Sequence, residues 1–331
     1  MAESERTDTI PLGAYTAEMQ AELDRLATLI SEEVDFSRAP DAAMRALDER
    51  NSAVWNIDPP PVASVRHVRI SADEALDAAP CDAVIYTPEN AGHGVIFYVH
   101  GGGWALNNLA THESLMRALC NETRMTLVGV HYRLAPENPY PAALMDVISA
   151  FRRIVSCPTE FGLPEGPVVI AGDSAGANLA MATMLHEIGA ERPLPAGALL
   201  FYGVFGADFD TLSYRAYADG HRLTTAIMRR FWDWYIANEA RRDDPLAAPL
   251  KASDAQLRAL PPLFLLAAEM DPLASDSYDL KRRLDGLGRD DALIVEPGVI
   301  HGFMQMTAVL EAARKGMRAA GRAANRFVAI G

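Results

Sequence analysis

The sequence predicts an α/β protein: a mostly parallel sheet flanked by helices, with additional helical segments over one edge of the sheet. Three observations predict it. Short strand-like runs alternate with helical stretches over residues 64–326, the pattern of β-α units. Several of the runs are almost wholly apolar, as strands covered on both faces must be. One run passes directly through Gly172-Asp173-Ser174-Ala175-Gly176 into a helical pattern.

At 331 residues, half of them hydrophobic, the chain is long enough to bury one large core. Thirty basic against 44 acidic residues give a formal charge of −14, a field that repels phosphate backbones and anionic membranes and argues against nucleic acid as a partner. Cys81, Cys120 and Cys157 are an odd, sparse set without a CxxC pair, which points to reduced thiols. The first ten residues carry charges where a secretory leader needs an apolar stretch. No apolar run approaches the roughly 20 residues of a membrane span. The expectation is a soluble, cytoplasmic protein.

A helix is expected over residues 14–36, where Met19, Leu23, Leu26, Ile30 and Val34 recur at helical steps and should face the core. A second is expected from an N-cap at Asp41 to about Asn51. Asp58-Pro59-Pro60-Pro61 ends this segment and marks a boundary near residue 60. Strands follow at Val65–Ile70, Ala83–Tyr86, Val95–His100, Thr126–His131, Val168–Ala171, Ala198–Tyr202, Leu263–Ala267 and Leu293–Glu296. The first two follow one another without a helix between them and should pair antiparallel. Helices are expected near 111–122, 142–155, 176–189, 273–287 and 303–326. Residues 203–260 break the alternation, with a helix around Thr225–Asn238. Together with residues 1–60 they are expected to form a cap over the carboxyl edge of the sheet, where such sheets bind ligands.

Ser174 is the candidate nucleophile. A serine on a sharp strand-to-helix turn needs small flanking residues, and the helix start favours negative charge beside it. Upstream, His100-Gly101-Gly102-Gly103-Trp104 ends a strand run with three glycines, a costly use of backbone freedom. Amides of Gly102 and Gly103, with that of Ala175, could hold a developing oxyanion. His100 is expected to brace this loop. Three histidines follow Ser174. His186 falls about three turns along the next helix, and His221 lies in the presumed cap, whereas His301 follows a strand and is the candidate base. Asp271, at the end of the run Pro262–Ala267, is the preferred acid; Glu269 and Asp276 are the alternatives.

These pieces resemble the hormone-sensitive-lipase-like group of α/β hydrolases, the bacterial family IV esterases. The matching stretches are HGGGW at 100–104, HYRLAPE at 131–137, YPAAL at 140–144, GDSAGAN at 172–178, DPLAAPL at 244–250, EMDPLASD at 269–276 and HGF at 301–303. The resemblance implies the α/β-hydrolase fold with an eight-stranded sheet and a helical cap, no metal or organic cofactor, and short- to medium-chain carboxylic esters as substrates of a serine carboxylesterase. It allows a homodimer through the last strand. An amide or formamide hydrolase using the same residues is the alternative, and a non-catalytic small-molecule receptor on this fold a remote one. Two positions depart from the pattern: Ala177 follows GDSAG where glycine is usual, and the loop Ala105-Leu106-Asn107-Asn108 lacks a glycine expected near 107. Arg133 and Glu137 are expected to form a structural ion pair with each other. The run Phe231-Trp232-Asp233-Trp234-Tyr235 is too dense for one helix face, so part should pack the cap and part line a pocket.

Overall fold

The computed structural model describes residues 13–220 and 222–330. Eight strands form one sheet: β1 Ser64–Ile70, β2 Cys81–Thr87, β3 Val95–Val99, β4 Thr126–His131, β5 Val168–Asp173, β6 Gly197–Phe201, β7 Leu263–Met270 and β8 Ala292–Ile300. Their order across the sheet is β1-β2-β4-β3-β5-β6-β7-β8. The β1–β2 and β2–β4 pairs are antiparallel, and every other neighbouring pair is parallel. Every residue of the central strands β3, β5 and β6 is buried, which explains why their sequences show no apolar-polar alternation.

The helices are α1 Ala17–Leu29, α2 Ala42–Ser52, α3 Glu113–Thr123, α4 Ala142–Ser156, α5 Ala175–Gly189, α6 Leu212–Ala216, α7 Thr225–Tyr235, α8 Asp254–Ala259, α9 Ala274–Gly286 and α10 Glu311–Ile330. Side chains of α4, α5 and α9 build the core on one face of the sheet, and those of α1, α3 and α10 the core on the other. Cys81, Cys120 and Cys157 are all free thiols. Among the described residues no helix is long and apolar enough to cross a membrane.

Two helices differ from expectation. The first starts behind its Thr16 N-cap and stops at Leu29, with Ile30 already extended. The apolar spacing continues to Val34, but Asp35 accepts both the amide and hydroxyl of Ser37, a local turn that competes with helix. Met19 and Leu26 are buried in one core, whereas Val34 packs against the other. The last helix begins at Glu311 rather than 303, because residues 303–305 form a separate 3-10 turn behind Gly302.

Arg133 and Glu137 do not pair with each other. The Arg133 guanidinium and amide both bind Asp146 of α4, whose carboxylate also accepts the Ala79 amide at 2.9 Å. Glu137 takes a two-pronged contact from Arg45 of α2, at 2.9 and 2.6 Å. Their partners come from helices on either side of the turn, and adjacency in sequence gave no hint of them. Asp146 is buried, so removing it strands a partly buried guanidinium and two backbone amides. Asp146→Ala should cost about 3 kcal/mol of stability, measured by urea unfolding, with a loss below about 1 kcal/mol counting against this account.

Candidate active site

The strand β5 ends at Asp173 and α5 begins at Ala175, leaving Ser174 alone on the turn with φ 53° and ψ −121°. The turn is this tight because the flanking glycines let backbone approach backbone. A methyl group at Gly172 would sit 2.6 Å from the Gly176 carbonyl, and one at Gly176 only 2.0 Å from the Val99 oxygen. The amide of Ser174 donates to the Phe201 carbonyl at 2.8 Å, fixing the strained residue to the neighbouring strand.

His301 follows β8 directly. The expected turn at Pro297-Gly298 is absorbed into the strand as an irregularity opposite Glu269, with Gly298 at φ 63°. Glu269 is committed to it: its carboxylate accepts the Gly298 amide at 2.7 Å. Asp271 is the carboxylate beside the imidazole, with Oδ2 2.7 Å from His301 Nδ1 and Oδ1 accepting the Leu273 amide at 2.9 Å. A carboxylate only accepts, so Nδ1 carries the proton and Nε2 is left as an acceptor. The Ser174 hydroxyl lies 2.9 Å from that Nε2. Asp276, the third acid candidate, accepts the amides of Phe205 and Gly206 at 2.7 and 2.8 Å. His186 is turned to Glu187 on α5, and His221 lies outside the described residues.

The loop after β3 takes the conformation its glycines permit. Gly102 and Gly103 have φ of 115° and 57°, and a Cβ on either would collide, with the Leu106 carbonyl or with the Phe231 ring, both at 2.2 Å. Among the described residues, the amides of Gly102, Gly103 and Ala175 have no hydrogen-bond acceptor. His100 braces the loop, donating from Nδ1 to the Gly101 carbonyl at 2.8 Å and accepting from His131 Nδ1 at 3.1 Å. Burial pushes its pKa well below the ordinary value, which keeps it neutral.

Asp173 ties the loop to the serine turn. Its carboxylate accepts the Gly101 amide at 2.9 Å and the Tyr98 hydroxyl at 2.7 Å, and lies 3.2 Å from His112 Nε2. Burial alone would raise its pKa, but His112, the Tyr98 hydroxyl and the amide outweigh that and hold it below the ordinary value. Gln305 Nε2 lies 3.0 Å from the same His112 Nε2, whose other ring nitrogen faces the Thr111 hydroxyl.

A cavity of about 170 Å³ opens above Ser174 and His301. Phe36, Asp48 and Trp55 line it from the N-terminal segment, and Arg222, Ile227, Met228 and Phe231 from the 203–260 insertion. The aromatic run of α7 divides. Trp232 and Tyr235 are buried against Trp104, the Tyr235 ring stacked on it at 4.3 Å; Phe231 faces the cavity, and Trp234 stacks on Phe36 at 6.4 Å. Of the lining, sequence reading singled out the glycines, the Leu106-Asn107 loop, Asp173, Ser174, His301 and the α7 cluster. Phe36, Asp48, Trp55, Arg222 and Gln305 carry no motif. At the position where glycine was expected, Asn107 adopts φ 65°, a region asparagine tolerates better than most residues, and donates its amide to Asp48 at 3.2 Å. Burial raises the pKa of Asp48 to about 6. Ala177 is packed in the core and does not reach the cavity.

A family model described as alpha/beta hydrolase fold matches residues 96–305. Carboxylesterase NlhH of Mycobacterium tuberculosis (strain ATCC 25618 / H37Rv) is 35% identical over 222 residues, 66% of this chain and 69% of the relative. Among solved structures, ester-hydrolase EH1AB1 from the metagenome of Lake Arreo superposes with a TM-score of 0.86 at 31% identity, covering 94% of this chain and 98% of the other. A thermostable esterase from Pseudomonas putida ECU1011 gives 0.87 at 28% identity, covering 97% and 99%.

Burial raises Asp276 from 3.8 to about 7, against the lowering effect of its two amide donors. Between those values the folded chain holds a proton that the unfolded chain has released. Its contribution to stability is therefore present below the unfolded value and lost as pH rises through the folded one. Asp276→Asn, which stays neutral, should become progressively more stable relative to the parent between pH 5 and pH 8 in denaturant titrations; equal differences at the two pH values would refute the assignment.

Proposed function

The chain belongs to the α/β-hydrolase-fold family and is a carboxylic ester hydrolase, and we propose that it works through a covalent acyl-enzyme formed on Ser174. The observation that carries this reading is the unbroken hydrogen-bond series from Ser174 Oγ through His301 to Asp271, at 2.9 and 2.7 Å. His301 Nε2 takes the hydroxyl proton as Oγ attacks the ester carbonyl, and Asp271 holds the tautomer and stabilises the imidazolium that forms. The amides of Gly102, Gly103 and Ala175 receive the oxyanion, an interaction worth about 3–4 kcal/mol per donor at comparable sites. His301 then protonates the departing alcohol. A water activated by the same nitrogen attacks the acyl carbon and releases the acid, restoring Ser174.

The N-terminal helices and the 203–260 insertion act as the cap in this reading, and they set the acyl preference. A cavity of about 170 Å³ is small beside the roughly 300–1,000 Å³ of sites for drug-sized ligands. It suits short to medium acyl chains.

Ser174→Ala should lower kcat on 4-nitrophenyl butanoate by about a thousandfold or more, with the fold intact by circular dichroism. Retention of more than about a tenth of the activity would remove Ser174 from the mechanism. In a homologous series of 4-nitrophenyl esters kcat/KM should peak at a short or medium acyl chain and fall for long ones; a maximum at the longest chains would contradict the proposed pocket.

A further inference from the structure

Arg222 is a cation on the cavity wall with no obvious structural duty. It lines the same cavity as Ser174 and His301. Among the described residues its guanidinium makes no hydrogen bond and has no carboxylate at ion-pairing distance. It lies over the face of Trp55, 5.2 Å from guanidinium carbon to ring centre. That platform is itself fixed, because the Trp55 indole donates to the buried Glu22 at 2.9 Å.

The backbone is committed to this placement. Arg222 adopts φ 64°, an uncommon conformation for a residue with a side chain, directly before the Thr224 cap of α7. The turn is tied down by the Thr225 amide on the Ala218 carbonyl at 3.0 Å and by the Tyr15 hydroxyl on the Gly220 carbonyl at 3.3 Å. The side chain is exposed, yet the protein around the guanidinium lowers its pKa by desolvation, although Glu33, Asp48 and Glu22 pull the other way. Asp48 lines the same cavity and accepts the Asn107 amide. A planar guanidinium stacked on an aromatic face, its N–H donors unclaimed, is the geometry that recognises a carboxylate through two parallel hydrogen bonds.

We propose that Arg222 is a carboxylate-binding subsite, so that the preferred esters carry a negative charge, the simplest being hemiesters of short dicarboxylic acids. The proposal rests on the reading above for the position of the scissile ester beside Ser174. It adds the chemical class of the remainder of the substrate.

The test compares kcat/KM by pH-stat at neutral pH for monoethyl succinate, glutarate and adipate. Each is set against the neutral ester in which a primary amide replaces the carboxylate. The parent enzyme should prefer the acid form at one chain length or more. In Arg222→Gln that acid-to-amide ratio should drop by about tenfold or more, and a smaller drop overturns the proposal. So does a parent enzyme that prefers every amide form. Because the readout is a ratio, a general loss of activity does not imitate the effect. Should Arg222→Gln fail to fold, Arg222→Lys keeps the charge and loses the two-pronged contact, and the ratio should still fall; an unchanged ratio overturns the proposal. Ethyl butanoate separates the two readings: a parent enzyme that cleaves it without preferring any hemiester loses only the subsite, whereas one that cleaves no ester at all loses the hydrolase mechanism and the subsite together.

Discussion

The start of α5 lies against the end of β3 with no room for a side chain between them. Gly176 packs on the carbonyls of Val99 and His100, and Gly172 faces both Gly176 and Val99. From this approach the rest of the site follows. It forces Ser174 into its strained turn, because the chain must reverse from β5 into the helix within one residue. It also brings the glycine loop after β3 beside the first amides of α5. The free N–H groups at that helix start and the bare amides of the loop are thereby carried on neighbouring backbone. Asp173 locks the arrangement, since its buried carboxylate takes the Gly101 amide from one side while its own backbone leads into Ser174. A carboxylate buried this deeply is tolerated because it is fully partnered by Tyr98, Gly101 and His112.

What the sequence disclosed and what it withheld divide along a physical line. Ser174, Asp271 and His301 each sit just beyond the end of a strand, at β5, β7 and β8. Strand runs are readable from apolar residues, so groups placed at their ends are readable as well. Glu269 was harder to separate from Asp271, because both lie at the end of β7. The fold distinguishes them: the β8 irregularity claims Glu269 through Gly298, and Asp271 meets His301 Nδ1. The over-long first helix missed a local competitor, the Asp35–Ser37 turn, whereas the mistaken Arg133–Glu137 pair has a different cause: adjacency describes one segment, and both residues are held by other helices. The cavity wall is the extreme case. Phe36 meets Phe231 edge to face at 5.6 Å across almost two hundred positions of sequence, and no local pattern encodes such a meeting.

Electrostatics at the site run against the charge of the whole. A formal charge of −14 disfavours anions at long range, but in salt such a field fades over about 8 Å. Within the cavity the near groups decide. Arg222 stands there on Trp55, with Asp48 the neighbouring acid and Asp173 already occupied. A molecule that is globally anionic can therefore still place a cation, Arg222, on the wall of its cavity, and composition alone does not reveal it.

The two segments above the sheet do different work. The insertion supplies walls: Arg222, Ile227, Met228 and Phe231 all come from it. The N-terminal segment reaches further, into the loop that carries Gly102 and Gly103. Arg45 donates to the Ala105 carbonyl at 3.0 Å while gripping Glu137, Asp48 accepts the Asn107 amide, and Glu49 accepts from the Asn108 side chain at 3.0 Å. Three residues of α2 thus hold the stretch directly after Gly102 and Gly103, and that stretch closes back on Gly102 through the Leu106 carbonyl. A segment that only covered the cavity could drift without affecting the glycine loop. This one is hydrogen-bonded to that loop, so a shift of α2 that widened the cavity would also move the backbone that follows Gly102 and Gly103. Cavity shape and the placement of those glycines are therefore coupled through the polar contacts of α2, whereas α7 of the insertion meets the same loop through the Phe231 ring beside Gly103 and aromatic stacking on Trp104.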